Sequence, residues 1–145
     1  MNIPVASLED LDIIVEAIDG LVQRGYRIFL LSGELGSGKT TLVQALCRSW
    51  GVQEAVSSPT FSLVNSYSSP VYGEICHMDL YRLEKHSDLV QIGLEEYLES
   101  GQICLIEWPG VANEYFFPPY VKVEIEVNPN NIRIFKITTY DAVDA

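Results

Sequence analysis

The chain has 145 residues, 48% apolar and 20% charged, with a net charge of −11, which predicts one soluble globular domain over 1–145. Its nine Lys and Arg residues stand singly, which excludes a basic nucleic-acid footprint, so any nucleic acid in its pathway has to be held by a partner. No apolar run nears the roughly 20 residues of a membrane span, Met1 to Asp10 lacks the basic and apolar regions of a leader, and Cys47, Cys76 and Cys104 match no zinc or paired-cysteine spacing, all of which predicts a cytoplasmic protein with reduced cysteines.

Ser7 and Asp10 have the S-x-x-D spacing of a capping box. Leu8, Leu11, Ile14, Val15, Ile18 and Val22 then recur at helical spacing until Gly25. Tyr26 to Ser32 is a short apolar run, suited to a strand buried on both faces. GELGSGKT, Gly33 to Thr40, follows, and then a helical pattern through Leu42, Val43, Leu46 and Trp50 that Gly51 closes. Phe61 to Tyr67 and Val71 to Asp79 read as two strands joined by Ser68, Ser69 and Pro70. Leu89 to Glu99 predicts a helix, or two short ones broken near Gly93. Gln102 to Glu107 is another apolar strand, and Trp108 and Pro109 come after it. Val121, Val123, Ile125 and Val127 alternate with Lys122, Glu124 and Glu126. Asn128 to Asn131 form a turn, and Ile132 to Tyr140 returns as the last strand. This order predicts an α/β fold: a mixed central sheet flanked by helices, with antiparallel C-terminal strands.

Gly33, Gly38, Lys39 and Thr40 satisfy G-x-x-x-x-G-K-[ST]. Glycines allow the loop's backbone to approach phosphate oxygens closely. Loop amides and the positive end of the following helix then face those oxygens. Lys39 adds a mobile point charge, and Thr40 adds a hydroxyl ligand for Mg²⁺. An apolar strand before the loop and a helical pattern after it complete the context of a P-loop NTPase fold. Such a loop needs an acid at the end of a neighbouring strand to hold Mg²⁺ and its waters, and Asp79 and Glu107 both fit. His77 lies two residues before Asp79, so both can share one face of a strand; a lone His there is read as structural, with no general-base role. Ser57, Ser58, Pro59 and Thr60 are either a segment that senses the γ-phosphate or a plain polar turn. Arg82 either balances phosphate charge or pairs with Glu84 or Asp88, and Trp108 either stacks on a base or packs. No N-K-x-D segment is present to read guanine, which favours ATP.

GELGSGKTT (33–41), SSPTFSLVNSY (57–67), HMDLYRL (77–83), IGLEEYL (92–98) and ICLIEWP (103–109) occur in that order. Together they resemble the TsaE family, bacterial ATPases of tRNA threonylcarbamoyladenosine biosynthesis, and the resemblance runs over nearly the whole chain. It implies a Mg²⁺-dependent ATPase that binds a complex of TsaD and TsaB and resets it between turnovers, with tRNA contact indirect or weak. By matching motifs, Gly33, Glu34, Leu35, Gly36, Ser37, Gly38, Lys39, Thr40 and Thr41 would wrap the phosphates of ATP. Thr40 and Glu107 would hold Mg²⁺. Lys39, Asp79 and Thr60 would serve the γ-phosphate, with Asp79 on a metal water or the attacking water. Trp108 and Arg133 would approach the nucleotide. The family's usual N-terminal Thr has no counterpart among Leu11 to Ile14, and VANEYFFPP after Gly110 departs from the family pattern. Two other readings share the loop: a nucleotide-binding assembly module with incidental hydrolysis, and a small-molecule kinase, for which five arginines and no lid-like insertion are poor material.

Overall fold

The computed structural model describes residues 1–7, 10–59, 63–83 and 86–142, and of His86 and Ser87 the backbone alone. The chain folds as an α/β protein around a mixed seven-stranded sheet. The strands are β1 (Asn2–Val5), β2 (Ile28–Gly33), β3 (Val64–Ser69), β4 (Gly73–Asp79), β5 (Ile103–Glu107), β6 (Tyr120–Val127) and β7 (Arg133–Tyr140). Their spatial order is β1-β7-β6-β2-β5-β4-β3. β6, β2, β5 and β4 run parallel. β3 is antiparallel on β4 at one edge, and β7 and β1 are antiparallel beyond β6 at the other. The mixed sheet with antiparallel C-terminal strands agrees with the sequence pattern.

Alternation along the strands sorts the core into two layers. Phe29 and Leu31 of β2, Ile75 of β4, Leu105 of β5, Val123 of β6 and Phe135 of β7 face the helices α1 (Asp12–Gln23) and α2 (Lys39–Ser49). Leu30, Cys76, Met78, Cys104 and Ile106 face the other way, under α3 (His86–Ile92), α4 (Leu94–Glu99) and a 3₁₀ segment, Pro109–Tyr115. Side chains buried this completely contribute about 1.5–3 kcal/mol each. β2 is apolar on both faces because it lies at the centre of this stack, with parallel neighbours on either side. Cys47, Cys76 and Cys104 are free and buried, as their spacing implies.

Local details differ from the sequence pattern or decide between its alternatives. The predicted capping box lies ahead of the helix and Ser7 is not its N-cap: the Asp10 amide donates to Ser7 O at 2.9 Å. α1 starts later, with Leu11 as N-cap, no side-chain cap, and Asp12 supplying the acid of its first turn. Ser68 and Ser69 belong to β3, opposite Glu74 and Gly73, so the reversal falls on Pro70, Val71 and Tyr72. Ser69 Oγ holds that reversal by accepting the amides of Val71 at 3.1 Å and Tyr72 at 3.0 Å, while donating to Trp50 O at 2.6 Å. Leu89 to Glu99 resolves into the two-helix alternative, broken at Gly93. β1 and the 3₁₀ segment have no counterpart in the sequence reading. β1 is four residues long, contains a proline, and pairs with a strand at the far end of the sequence, so it carries little local signal.

Candidate phosphate and metal site

The loop Gly33–Gly38 joins β2, the central strand, to α2. Gly33 sits where a Cβ would lie 2.8 Å from the backbone oxygen of Ile125 in β6, so only glycine fits. Gly38 is the N-cap of α2 with φ +116°, a conformation that L side chains rarely adopt. The amides of Lys39, Thr40 and Thr41 then fall in the first helical turn, where no carbonyl four residues back lies inside the helix. They are donors for an anion, reinforced by the helix dipole. Arg133 of β7 braces the loop from behind: Nε donates to Ser37 O at 2.8 Å and Nη2 to Gly36 O at 3.3 Å.

Two acids reach the mouth of this loop from adjacent parallel strands. Asp79 ends β4 and Glu107 ends β5, and they are register partners, so they project from the same face of the sheet. That face is the one α2 packs on. Thr40 Oγ1, in its first turn, donates to Glu107 Oε1 at 3.0 Å and Oε2 at 3.1 Å. Asp79 accepts from Ser58 Oγ at 2.9 Å and from the Tyr81 amide at 3.0 Å. Among the described residues no three His, Cys, Asp or Glu side chains converge as a metal cage. The hydroxyl of Thr40 with the carboxylates of Glu107 and Asp79 is an all-oxygen set. It suits Mg²⁺, which typically takes one or two protein carboxylates and fills its other positions with water and substrate phosphate.

Lys39 is nearly buried. Its Nζ donates to Gly33 O at 2.5 Å and Glu34 O at 3.0 Å, and lies 4.1 Å from the centre of the Trp108 ring. Burial pushes the Lys39 ammonium below the ordinary lysine range, while Glu107, Asp79 and Glu34 pull it back up. Trp108 has φ +55°, unusual outside glycine, and its ring also packs against Tyr81 at 4.8 Å between centroids. These groups enclose a cavity of about 210 Å³ that brings Lys39, Thr40 and Thr41 together with Asp79, Glu107 and Trp108. A larger cleft of about 780 Å³, between the 3₁₀ segment and β6, shares Trp108 and the loop's first residues, but Lys39, Thr40 and the two acids converge on the smaller one.

The structure thus gathers Leu35 through Thr41, Asp79, Glu107 and Trp108 around one cavity, apart from Ser37, which lies buried behind the loop with its hydroxyl unpartnered among the described residues. Gly33 and Glu34 meet Lys39 through their carbonyls. Arg133 touches the loop's backbone. Thr60 lies outside the described residues. Residue-by-residue reading places His77 on Asp79's face of β4 as a structural histidine and does not single out Tyr67. His77 is fully buried, and its Nε2 lies 2.6 Å from Glu107 Oε2. Tyr67 places its hydroxyl 3.2 Å from His77 Nδ1. The alternation that puts His77 on Asp79's side of β4 was the available signal.

The profile of the family described as "Threonylcarbamoyl adenosine biosynthesis protein TsaE" matches residues 5–135. The tRNA threonylcarbamoyladenosine biosynthesis protein TsaE of Rickettsia prowazekii is 35% identical over 111 residues, covering 76% of this chain and 76% of that protein. The protein of the same name from Rickettsia conorii is 36% identical over 113 residues, 77% of this chain and 63% of that one. The one from Bacillus subtilis is 37% identical over 87 residues, 60% of this chain and 53% of that one. The match therefore spans between about half and three quarters of these relatives' lengths. Among solved structures, Bacillus subtilis YdiB superposes with a TM-score of 0.73 at 23% identity, over 96% of this chain and 84% of that one, a likeness of fold.

Proposed function

Because the chain belongs to the TsaE family, we propose that it is a cytoplasmic Mg²⁺-dependent ATPase serving threonylcarbamoyladenosine formation in tRNA. The observation that carries this reading is the meeting of Thr40 with Glu107 at 3.0 Å, directly at the N-terminus of α2 and beside Lys39. A hydroxyl and a carboxylate held together there are the protein's half of a Mg²⁺ site, and the loop amides with Lys39 are the means of holding a polyphosphate. When bound, the metal neutralises charge that develops between the β and γ phosphates.

The side chains divide the remaining work. Lys39 and the first-turn amides hold the phosphate oxygens, at positions fixed by Gly33, Gly38 and Arg133. Thr40 and Glu107 hold the metal edge of the site. Asp79, fixed by Ser58 and the Tyr81 amide, faces the same cavity and is placed to orient a water for attack on phosphorus. Such positioning chemistry is slow until the site is completed, and completion by the TsaD–TsaB complex is the role that fits the family. Hydrolysis there resets the complex.

The test measures phosphate release with Mg²⁺, with and without TsaD and TsaB. The expected result is slow turnover alone and faster turnover in the complex; equally fast rates in both would remove the partner's role. Lys39→Ala should abolish nucleotide binding. Glu107→Ala should bind ATP yet lose roughly a hundredfold or more in turnover. Unchanged Mg²⁺-dependent hydrolysis in Glu107→Ala would take Glu107 out of the site.

A further inference from the structure

The segment Ser57–Ser58 touches both acids of the site, one directly and one through intermediaries. Ser58 Oγ donates to Asp79 Oδ2 at 2.9 Å. Ser57 reaches Glu107 along a buried chain. Its carbonyl oxygen lies 3.2 Å from the Tyr67 hydroxyl, which lies 3.2 Å from His77 Nδ1, and His77 Nε2 lies 2.6 Å from Glu107 Oε2. Tyr67, His77 and Glu107 are 3%, 0% and 2% exposed, so water cannot replace a lost partner cheaply.

We infer that Tyr67 and His77 are positioning residues that make the orientation of the Glu107 carboxylate depend on where Ser57 sits. In its metal-holding consequence this rests on the Mg²⁺–ATP reading above. A carboxylate only accepts hydrogen bonds, so His77 Nε2 carries the proton between them. In the neutral ring Nδ1 is then an acceptor, and its donor is the Tyr67 hydroxyl. That hydroxyl has one proton and two takers, His77 Nδ1 and Ser57 O, at equal distance. Asn65 Nδ2 is 3.3 Å from both Ser57 O and the Tyr67 oxygen, so it can serve the carbonyl whenever the Tyr67 proton is on the ring.

The outcome of that contest is set by the loop. With Ser57 withdrawn, the Tyr67 proton is committed to Nδ1 and the ring is pinned as an Nε2 donor to Glu107. With Ser57 close, the proton is shared and the ring is held less firmly. Glu107 accepts on both oxygens from Thr40 Oγ1, so a turn of the carboxylate disturbs the hydroxyl on the metal edge. Partners that lie behind a ligand in this way orient it and tune its affinity.

Tyr67→Phe removes the contested proton and preserves the ring. The chain has two histidines, which makes the imidazole ¹⁵N spectrum of the full chain assignable. The expected wild-type spectrum has His77 protonated at Nε2, and Tyr67→Phe shifts its Nδ1 resonance. By calorimetry, ATP affinity without metal stays within about twofold in that variant, while its enhancement by Mg²⁺ falls roughly tenfold. His77→Gln, which keeps an amide donor toward Glu107, should retain more of the Mg²⁺ effect than His77→Ala. A wild-type proton on Nδ1, or a Tyr67→Phe protein with unchanged His77 resonances and unchanged Mg²⁺ enhancement, would overturn the inference. Failure of the wild type to bind ATP with or without Mg²⁺ would refute the functional reading instead, and the ¹⁵N spectrum alone would then decide the relay.

Discussion

At Gly33 the chain leaves β2 with no space for a methyl group. A Cβ would meet Ile125 O at 2.8 Å and Ser37 Oγ at 2.6 Å. The serine could rotate, but the carbonyl belongs to β6, which is paired on both sides. Gly33→Ala should therefore cost about 2 kcal/mol of stability and push the loop off its position, lowering ATP affinity further. A denaturant titration and calorimetry on the same protein check both parts; a variant with wild-type midpoint and affinity would show that the loop has slack. Residues of this kind were legible in the sequence, because backbone geometry dictates their type and their spacing is fixed. Asp79 and Glu107 were legible as acids at strand ends. The link from Tyr67 through His77 to Glu107 was not, since it depends on the pairing of β3, β4 and β5, and no local pattern states which strands will be neighbours. Trp108 was read as stacking on a base or packing; the structure lays its ring against Lys39 and Tyr81, a cation–π contact at 4.1 Å and an aromatic pair.

Among the elements, β7 acts on the site from a distance. It is antiparallel to β6 and carries Arg133 to the back of the phosphate loop, where the guanidinium meets two carbonyls. Charge-assisted bonds of this sort, partly exposed, are worth about 1 kcal/mol together. Arg133→Ala should speed amide exchange at residues 36–38, weaken ATP binding about fivefold and lower the melting temperature by about 2–4 °C. Hydrogen exchange read by mass spectrometry, beside calorimetry, separates a loop brace from a direct phosphate contact. A large affinity loss with unchanged exchange would favour the direct contact. Periodicity made the longer elements readable: α1, α2, β2, β5, β6 and β7 fall near their predicted spans. It failed where an element is brief or its ends are set by side chains. Ser69 remains in β3 because its hydroxyl does the work of the turn. The 3₁₀ segment buries Pro109 and Ala112, the latter in the second core, in a stretch with no simple period.

Taken as a whole, the molecule buries groups that must stay protonated. Burial pushes the Cys47 thiol up to about 12 from an ordinary 9.0, and raises the Tyr67 hydroxyl as well; a hydrogen bond with Cys104 together with burial raises Cys76. An acid whose value is higher in the folded state holds its proton there longer than in the unfolded chain. Its contribution to stability is complete below the unfolded value and is lost as pH rises through the window up to the folded value. For Cys47 that window runs from 9.0 to about 12. The denaturation midpoint should therefore fall progressively above pH 9.0, and Cys47→Ala should flatten part of the fall. Midpoints measured across the alkaline range decide it; a flat profile in the wild type would show that these thiols ionise equally in both states. The net charge of −11 adds self-repulsion that deepens with further ionisation.

The pairing of β1 with β7 reaches beyond the finished protein to its birth. The Met1 amine donates to Ile137 O at 3.0 Å, and the Ile137 amide donates back to Met1 O at 2.8 Å. On the ribosome the first of these strands emerges long before the second exists. Ile3 and Val5, nearly buried once folded, must wait in water while the phosphate loop, both acids and most of the sheet are made. The edge of β6 waits with them until β7 arrives, a row of unpaired backbone groups of the kind that nascent chains lose to aggregation and that chaperones shield.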